Sequence, residues 1–370
     1  MRSVKNKIIQ MKKNLLLLAV FFALPLFAQQ KGKINIPNLK GYVTLKCDFH
    51  MHTVFSDGAV WPNVRVNEAF HEGLDAISLS DHIEYQPDVI VASHNYTYTN
   101  DWVQSTARER GIILIRGGEI SREMPPGHSN AIFLTDVDEL VKPDYMDAFR
   151  AAKAQNAFIF WNHPGWLDQQ PDTTLWWPEH TKLLEEGMMH GIEIVNDNSY
   201  FPEGHQWCLE KKLTMIGNSD VHAPRPPYSA ETHRTMTLVF ARSASAEGIR
   251  EALNERRTAV YFKDFVIGEE IYLKELFENA LEWSMNRNNN IVNVTVKNNS
   301  DLTFTLKPAN HDRRLVYFRN TSIVPYTIAP NGTQTFTVRL LDGVTGGDVN
   351  FVVENFLVQP NAGMYYTLKI

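Results

Sequence analysis

The chain has 370 residues, 44% hydrophobic and 21% charged, with a net charge of −6. That length accommodates two or three domains. The acidic balance excludes a basic footprint for non-specific nucleic-acid binding, so no nucleic-acid partner is expected.

The N-terminus reads as an address. Lys12-Lys13 precede the apolar run from Leu15 to Leu24, and Pro25 and Ala28 follow before Gln29-Gln30. Charged, apolar and small-residue regions in this order describe a secretory signal peptide over residues 1–28. Met11 is an alternative start, because residues 1–10 fit no signal region. An uncleaved anchor needs about 18 or more apolar residues. The expected location is therefore outside the cytoplasm, periplasmic or extracellular, with no stable membrane span. Cys47 and Cys208 are the only cysteines, and sequence leaves open whether they pair or stay separate buried thiols.

From about residue 40 the pattern is strand, helix, strand, repeated. Strands are predicted over 42–47, 74–79, 112–115, 131–134, 157–161, 191–195, 213–217, 235–240 and 258–262, with helical stretches between most of them. Such alternation argues for an α/β architecture around a parallel sheet. Polar clusters follow the strands and do not precede them. The first strand runs into His50, His52 and Asp57, and the second into His82. The third runs into Glu119, with His128 nine residues on; later strands run into His163 and into Asp220 and His222. In a closed barrel those C-terminal ends converge on one face, whereas an open sheet would scatter them along an edge.

After residue 262 the composition changes. A helix is predicted over 273–285, then a polar linker, Asn286 to Asn290, then short alternating runs separated by Asn298-Asn299, Asn331-Gly332 and Gly346-Gly347. This reads as an all-β sandwich over 291–370, an accessory or packing domain, behind a first domain over 40–285.

The strand-end residues are six histidines and three carboxylates. Imidazole and carboxylate together suit zinc, iron or manganese. Nine ligands exceed the needs of one ion; with one carboxylate bridging they suit three. His50 and His52, at i and i+2 of an extended segment, share a face. His71, His94, His180, His190, His233 and His311 lack this context and read as structural or surface residues.

In sequence, Asp48-Phe49-His50-Met51-His52-Thr53 with Ser56-Asp57-Gly58 resembles the first motif of the PHP superfamily, the polymerase and histidinol phosphatase domain. Leu79-Ser80-Asp81-His82 resembles its second motif, and Gly118-Glu119 with Gly127-His128-Ser129 its third. Asn162-His163-Pro164-Gly165 and Ser219-Asp220-Val221-His222 are similar to the remaining two. The resemblance covers about residues 40–262. It implies a distorted seven-stranded (β/α)7 TIM-like barrel, a trinuclear metal centre and hydrolytic attack on phosphate esters. By the same resemblance His50, His52, Glu119 and Asp220 hold a first ion. Glu119 bridges to a second, held also by His128 and His163. Asp57, His82 and His222 hold the third. Glu119, Asp220 and His163 are the expected catalytic residues.

A metal-bound hydroxide suits in-line displacement at phosphorus. No Gly-x-Ser-x-Gly elbow is present to supply a serine nucleophile. Asp48 and Asp81 each neighbour a motif histidine and are candidates to orient ligand imidazoles. Arg225, in Ala223-Pro224-Arg225-Pro226-Pro227, and Arg122 are candidate phosphate clamps. Trp166 is a candidate pocket wall and His205 a candidate general acid. The expected reaction is hydrolysis of a small phosphodiester. A phosphomonoesterase is the close alternative, and a non-catalytic, metal-stabilised surface-binding protein is the competing class.

Overall fold

The computed structural model describes residues 31–87, 95–226, 233–309, 315–318 and 325–370. The signal-peptide reading over 1–28, His94 and His311 lie outside the described residues. Strands β1 (Val43–Asp48), β2 (Ala76–Leu79) and β3 (Ile113–Ile120) lie side by side and parallel. Helix α1 (Pro62–His71) connects the first two and α2 (Tyr96–Arg110) the next two. Local chemistry sets the helix ends. Pro62 pre-sets the first turn of α1. Asn95 accepts from Tyr98 N at the start of α2, and Gly111 closes it at φ 65°.

β4 (Ser129–Ile132) then runs antiparallel between β3 and β5 (Phe158–Trp161), with α3 (Tyr145–Ala154) leading into β5. This departs from the expected parallel sheet. Only residues 121–128 join β3 to β4, too few for a parallel crossover of about a dozen residues. β6 (Gly191–Asn196) returns to parallel after α4 (Pro178–Glu185). A short β7 (Ser199–Tyr200) folds back on it. α5 (Pro202–Lys211) leads to β8 (Thr214–Asn218), parallel to β6. β9 (Met236–Ala241) is antiparallel to β1; α6 (Ala246–Asn254) and β10 (Thr258–Phe262) follow, and β11 (Phe265–Gly268) completes a hairpin with β10.

The far strand β8 is joined to β9 and β10 through threonine hydroxyls. Thr237 Oγ1 accepts from Gly217 N and donates to Gly217 O, and Thr258 Oγ1 donates to Met215 O. Gly217 permits this approach, since a Cβ there would lie 2.2 Å from Val260 Cγ1. The strand ends bearing the motif residues are thereby gathered on one side.

Helix α7 (Glu270–Ala280) ends five residues earlier than the pattern suggested, and β12 (Leu281–Asn288) begins there. The asparagine run is the turn of a hairpin with β13 (Ile291–Asn298). β14 (Phe304–Pro308), β15 (Leu315–Phe318), β16 (Tyr326–Ile328), β17 (Thr333–Leu340), β18 (Asp348–Gln359) and β19 (Ala362–Lys369) complete the unit. One sheet is β12–β13–β17–β15, and the other side is built on β16–β14–β18 with β19 beyond. Val294, Val338, Phe304, Phe351 and Met364 from the two sheets are fully buried in one cluster, as the sandwich reading requires.

The two units share structure. β18 runs on to pair in parallel with β11, matching Val266 to Phe356 and Ile267 to Leu357. Leu357 belongs to the same buried cluster as Val260, Phe262 and Ile267. Cys47 and Cys208 are separate, buried free thiols. No helix among the described residues is long and apolar enough to cross a membrane.

Candidate metal centre

The first strand delivers its histidines just past its end. Asp220 N donates to His50 O at 2.9 Å, and His52 N to Val221 O at 3.0 Å. Met51 bridges to Val221 and is fully buried. The alternation therefore sends Met51 one way and both imidazoles the other. Gly58 turns the loop back so closely that a Cβ would sit 2.5 Å from the His52 carbonyl carbon. His163 and Asp220 have φ of 28° and 49°. Left-handed backbone at non-glycine residues costs of order 1–3 kcal/mol and persists where its surroundings over-determine it.

The nine side chains meet. Four groups could each hold a cation: His52, Asp57, His82 and His222; His50, Glu119 and His163; His50, His52 and Asp220; His82, Glu119 and His128. Each carboxylate is the hub of an imidazole set. Glu119 Oε1 lies 3.5 Å from His50 Nε2, 3.1 Å from His128 Nδ1 and 3.8 Å from His163 Nε2, and its Oε2 lies 2.5 Å from His82 Nδ1. Asp220 Oδ1 lies 3.1 Å from His50 Nε2 and 2.9 Å from His52 Nε2. Asp57 Oδ1 lies 3.6 Å from His82 Nε2 and 3.3 Å from His222 Nε2.

The donor set fits cations. Glu119 Oε2 and Asp220 Oδ1 are buried and face ring nitrogens of the cluster, His82 Nδ1 and His52 Nε2. Their other oxygens are held by amides: Asn162 Nδ2 donates to Glu119 Oε1 at 2.7 Å, and Asn196 Nδ2 to Asp220 Oδ2 at 3.0 Å. His50 Nδ1 faces Glu193 Oε1 at 3.0 Å, so the ring proton sits there. The Nε2 lone pair then points toward Glu119, Asp220 and His52 Nε2, the last at 3.1 Å. Acceptors converging on acceptors in a buried space are the arrangement a metal ion stabilises.

Charge within the cluster shifts its groups strongly. Burial opposes ionisation of Glu119, but His82, His128 and His50 outweigh it and hold the carboxyl well below its usual range. Burial likewise disfavours charge on His82, yet Glu119 and Asp57 push it up to about 10. His52 is lowered to about 4 by burial and by neighbouring His82.

A cavity of about 590 Å³ opens above these residues, floored by His82, His128, His163 and His222 and walled by Gly165, Trp166, Leu167 and Phe201. Trp166 stands where the motif reading put it, its ring 5.5 Å from His128 and 5.2 Å from His163 and 40% exposed. Both arginines lie elsewhere. Arg225 Nε is 3.4 Å from Glu72 Oε1, and the residue lines a neighbouring cavity. Arg122 is committed to Glu84 at 2.8 Å and to the Pro143 and Lys142 carbonyls. His205 is fully buried behind β7, bonded through Nδ1 to the Tyr200 hydroxyl, and cannot reach a leaving group. Among the described residues that line the cavity over the histidine cluster there is no lysine or arginine.

Asp48 and Asp81 support backbone and hydroxyls, and no ligand imidazole. Asp81 accepts from Thr53 N, Thr53 Oγ1 and Ser56 Oγ. Asp48 accepts from Ser219 N, Ser219 Oγ and Arg234. The residues that orient the ligands are others. Glu193, fully buried on β6, takes His50 Nδ1 and Asn218 Nδ2 on one oxygen and His163 N and Asn196 Nδ2 on the other. Arg65, also buried, donates to the His52, Val221, His222 and Ala223 carbonyls and so fastens the first motif to the last. A lone glutamate within Ile192-Glu193-Ile194-Val195 was the available sequence signal for the first; nothing local marked the second.

Comparison with known proteins follows the same division. Residues 281–369 match a family model described as an Ig-like domain. The crystal structure of a two-domain protein from Bacteroides vulgatus, containing a predicted PHP-like metal-dependent phosphoesterase, matches at 52% identity with a TM-score of 0.89, over 93% of this chain and 100% of that one. A candidate metal-dependent phosphoesterase from Bifidobacterium adolescentis matches at 17% identity with a TM-score of 0.39, over 56% of this chain and 95% of that one. No curated protein matches the chain significantly.

Proposed function

The chain belongs to the PHP-like metal-dependent phosphoesterases, and on that premise we propose that it hydrolyses a small phosphodiester at a centre of three divalent ions. Zinc, manganese and iron suit the mixed imidazole and carboxylate donors. His50, His52, Glu119 and Asp220 would hold one ion, Glu119, His128 and His163 a second, and Asp57, His82 and His222 the third. In support, His50, His52 and Asp220 form one ligand-capable group, Asp57, His82 and His222 fall together in another, and Glu119 occurs in two more, once with His163 and once with His128. Bound ions would supply Lewis-acid stabilisation of the phosphoryl oxygens and a water activated near neutral pH.

The protein's own part is positional. Glu193 keeps the His50 proton on Nδ1, so that Nε2 stays a ligand. Asn162 and Asn196 fix the two central carboxylates. Trp166, Leu167 and Phe201 shield one side of the reacting centre from water and offer an apolar surface to the organic part of the substrate.

The observation favouring a diester is the absence of lysine and arginine from the described cavity wall. A monoester dianion carries more negative charge than a diester monoanion, and monoester sites commonly add an arginine to hold it. Here only the ions would balance phosphate charge, which matches one negative charge better than two. The residue pattern ahead of residue 30 supports an exported enzyme. The test compares bis-p-nitrophenyl phosphate with p-nitrophenyl phosphate on metal-loaded protein. A higher kcat/KM for the diester is expected, and a monoester preference would overturn the assignment.

A further inference from the structure

His180 has no motif neighbours, yet its ring lies between the approaches to two ligands. It is the third residue of α4 and is fully buried. The start of that helix explains half of its bonding. Trp177 precedes the first turn, and its N–H donates to His180 Nδ1 at 3.1 Å. This is the returning half of a capping box, with imidazole in place of the usual glutamate. Nδ1 is therefore an acceptor, the ring proton sits on Nε2, and Nε2 donates to Pro126 O at 2.8 Å. Helix capping needs only the first bond. The second crosses to the link between β3 and β4, two residues before His128.

The same ring stacks on Trp161, with centroids 3.8 Å apart and planes inclined by 28°. Trp161 is buried at the end of β5, two residues before His163. One side chain thus touches both the link that delivers His128 and the strand that delivers His163. Those two imidazoles lie 5.2 Å apart, centroid to centroid. A second tie starts from the same segment. Gln170, also buried, donates through Nε2 to Pro164 O at 2.6 Å, directly after His163. Its Oε1 accepts from Leu175 N at 2.9 Å and from Trp177 Nε1 at 3.2 Å. Trp177 joins the two ties, its amide on His180 and its indole on Gln170.

We propose that His180 is a positioning residue of the metal centre: by tying Pro126 O and packing on Trp161 it sets the separation of His128 and His163, so that both reach one ion together with Glu119. It acts through the chain on either side and not on the ion itself. The identity of the affected ion rests on the ligand division proposed for this site; the tie to the link before His128 does not.

Variants of the full-length protein test this. His180→Phe keeps a ring against Trp161 and removes both hydrogen bonds, whereas His180→Gln keeps a side-chain N–H for Pro126 O. Zinc affinities are read by competition with a chelator of known affinity. Outer partners of this kind control metal affinity by about 10–100-fold. The Phe variant should bind one ion at least about tenfold more weakly and the other two as wild type does. The Gln variant should bind all three as wild type does. Gln170→Met, which cuts the second tie, should likewise weaken one ion, and it decides the case if His180→Phe fails to fold. Amide exchange at Gly127, whose N–H donates to Glu123 O at 3.2 Å, reads the link without metal. Loss of the Pro126 bond should speed it about fivefold in the Phe variant and leave the Gln variant unchanged. Wild-type zinc affinities or unaltered Gly127 exchange in the Phe variant overturn the proposal. So does an equal loss at all three ions, which marks general destabilisation. Wild type that binds no zinc would refute the metal centre, and the exchange measurement then decides the tie by itself.

Discussion

Replacing Glu193 by glutamine tests whether the ligand geometry depends on one buried carboxylate. The substitution conserves shape but not chemistry. Glu193 receives four donors, from His50 at 3.0 Å, Asn218 at 2.9 Å, the His163 amide at 3.0 Å and Asn196 at 2.9 Å. Glutamine has one acceptor oxygen, so its NH2 must face two of those donors. Hydrogen bonds to a charged group contribute about 1.5–3 kcal/mol each, so losing two costs about 3–6 kcal/mol. Part of that appears as instability of the fold. The rest appears at the ions, because His50 loses the partner that fixes its tautomer. Partners of this kind typically control metal affinity by about 10–100-fold. Competition with a chelator of known affinity, alongside urea denaturation, measures both parts. A weakened metal affinity, with turnover recovering as metal is added in excess, is expected for Glu193→Gln. Metal affinity within twofold of wild type would refute the role given to Glu193.

Arg234→Met leaves Asp48 and Glu72 buried without their shared guanidinium, which now donates to both at 2.8–2.9 Å. Breaking a buried pair costs about 3–5 kcal/mol, so urea denaturation should show a loss of that order; a loss under 1 kcal/mol contradicts it. Stability should fall as pH drops from about 6.5 toward 4. His180 and His205 are each lowered to about 4 by burial, so the unfolded chain takes up protons in that window while the folded one does not. Each contributes about 3 kcal/mol at most, and His180→Gln should narrow the stability gap between pH 7 and pH 4.5. An unchanged gap removes His180 from the explanation. Trp166→Ala should raise KM for an aryl diester several-fold while leaving metal content intact, as read by steady-state kinetics and elemental analysis; unchanged KM would show that the wall does not touch substrate.

The ligands were legible in the sequence because their information is local. His50, His52, His82, His128, His163 and His222 sit in short motifs with their neighbours; His128 stands just before β4, and the others follow apolar runs. The helpers were not. Glu193 acts on His50 and Asn218, and Arg65 on the carbonyls of Val221 to Ala223, partners that only the fold brings near. Arg225 illustrates the converse. Its proline-flanked setting beside His222 suggested a clamp, but Glu72, from the end of α1, draws its guanidinium away from the cavity. The direction of β4 was recoverable, since the link over residues 121–128 is too short for a crossover. The end of α7 was missed although the period changes there: Leu273, Leu276, Phe277 and Ala280 keep helical spacing, whereas Leu281, Trp283 and Met285 alternate with Glu282 and Ser284, as the ladder with β13 bears out.

The most direct measurement is metal content per chain together with turnover of bis-p-nitrophenyl phosphate, for the wild type and for Asp220→Asn. Three divalent ions per chain, diester hydrolysis by the wild type, and folded Asp220→Asn protein without turnover are the expected result. A protein that binds three ions and hydrolyses no phosphate ester, or an Asp220→Asn variant that retains wild-type activity, would contradict the assignment of this cluster as the catalytic centre.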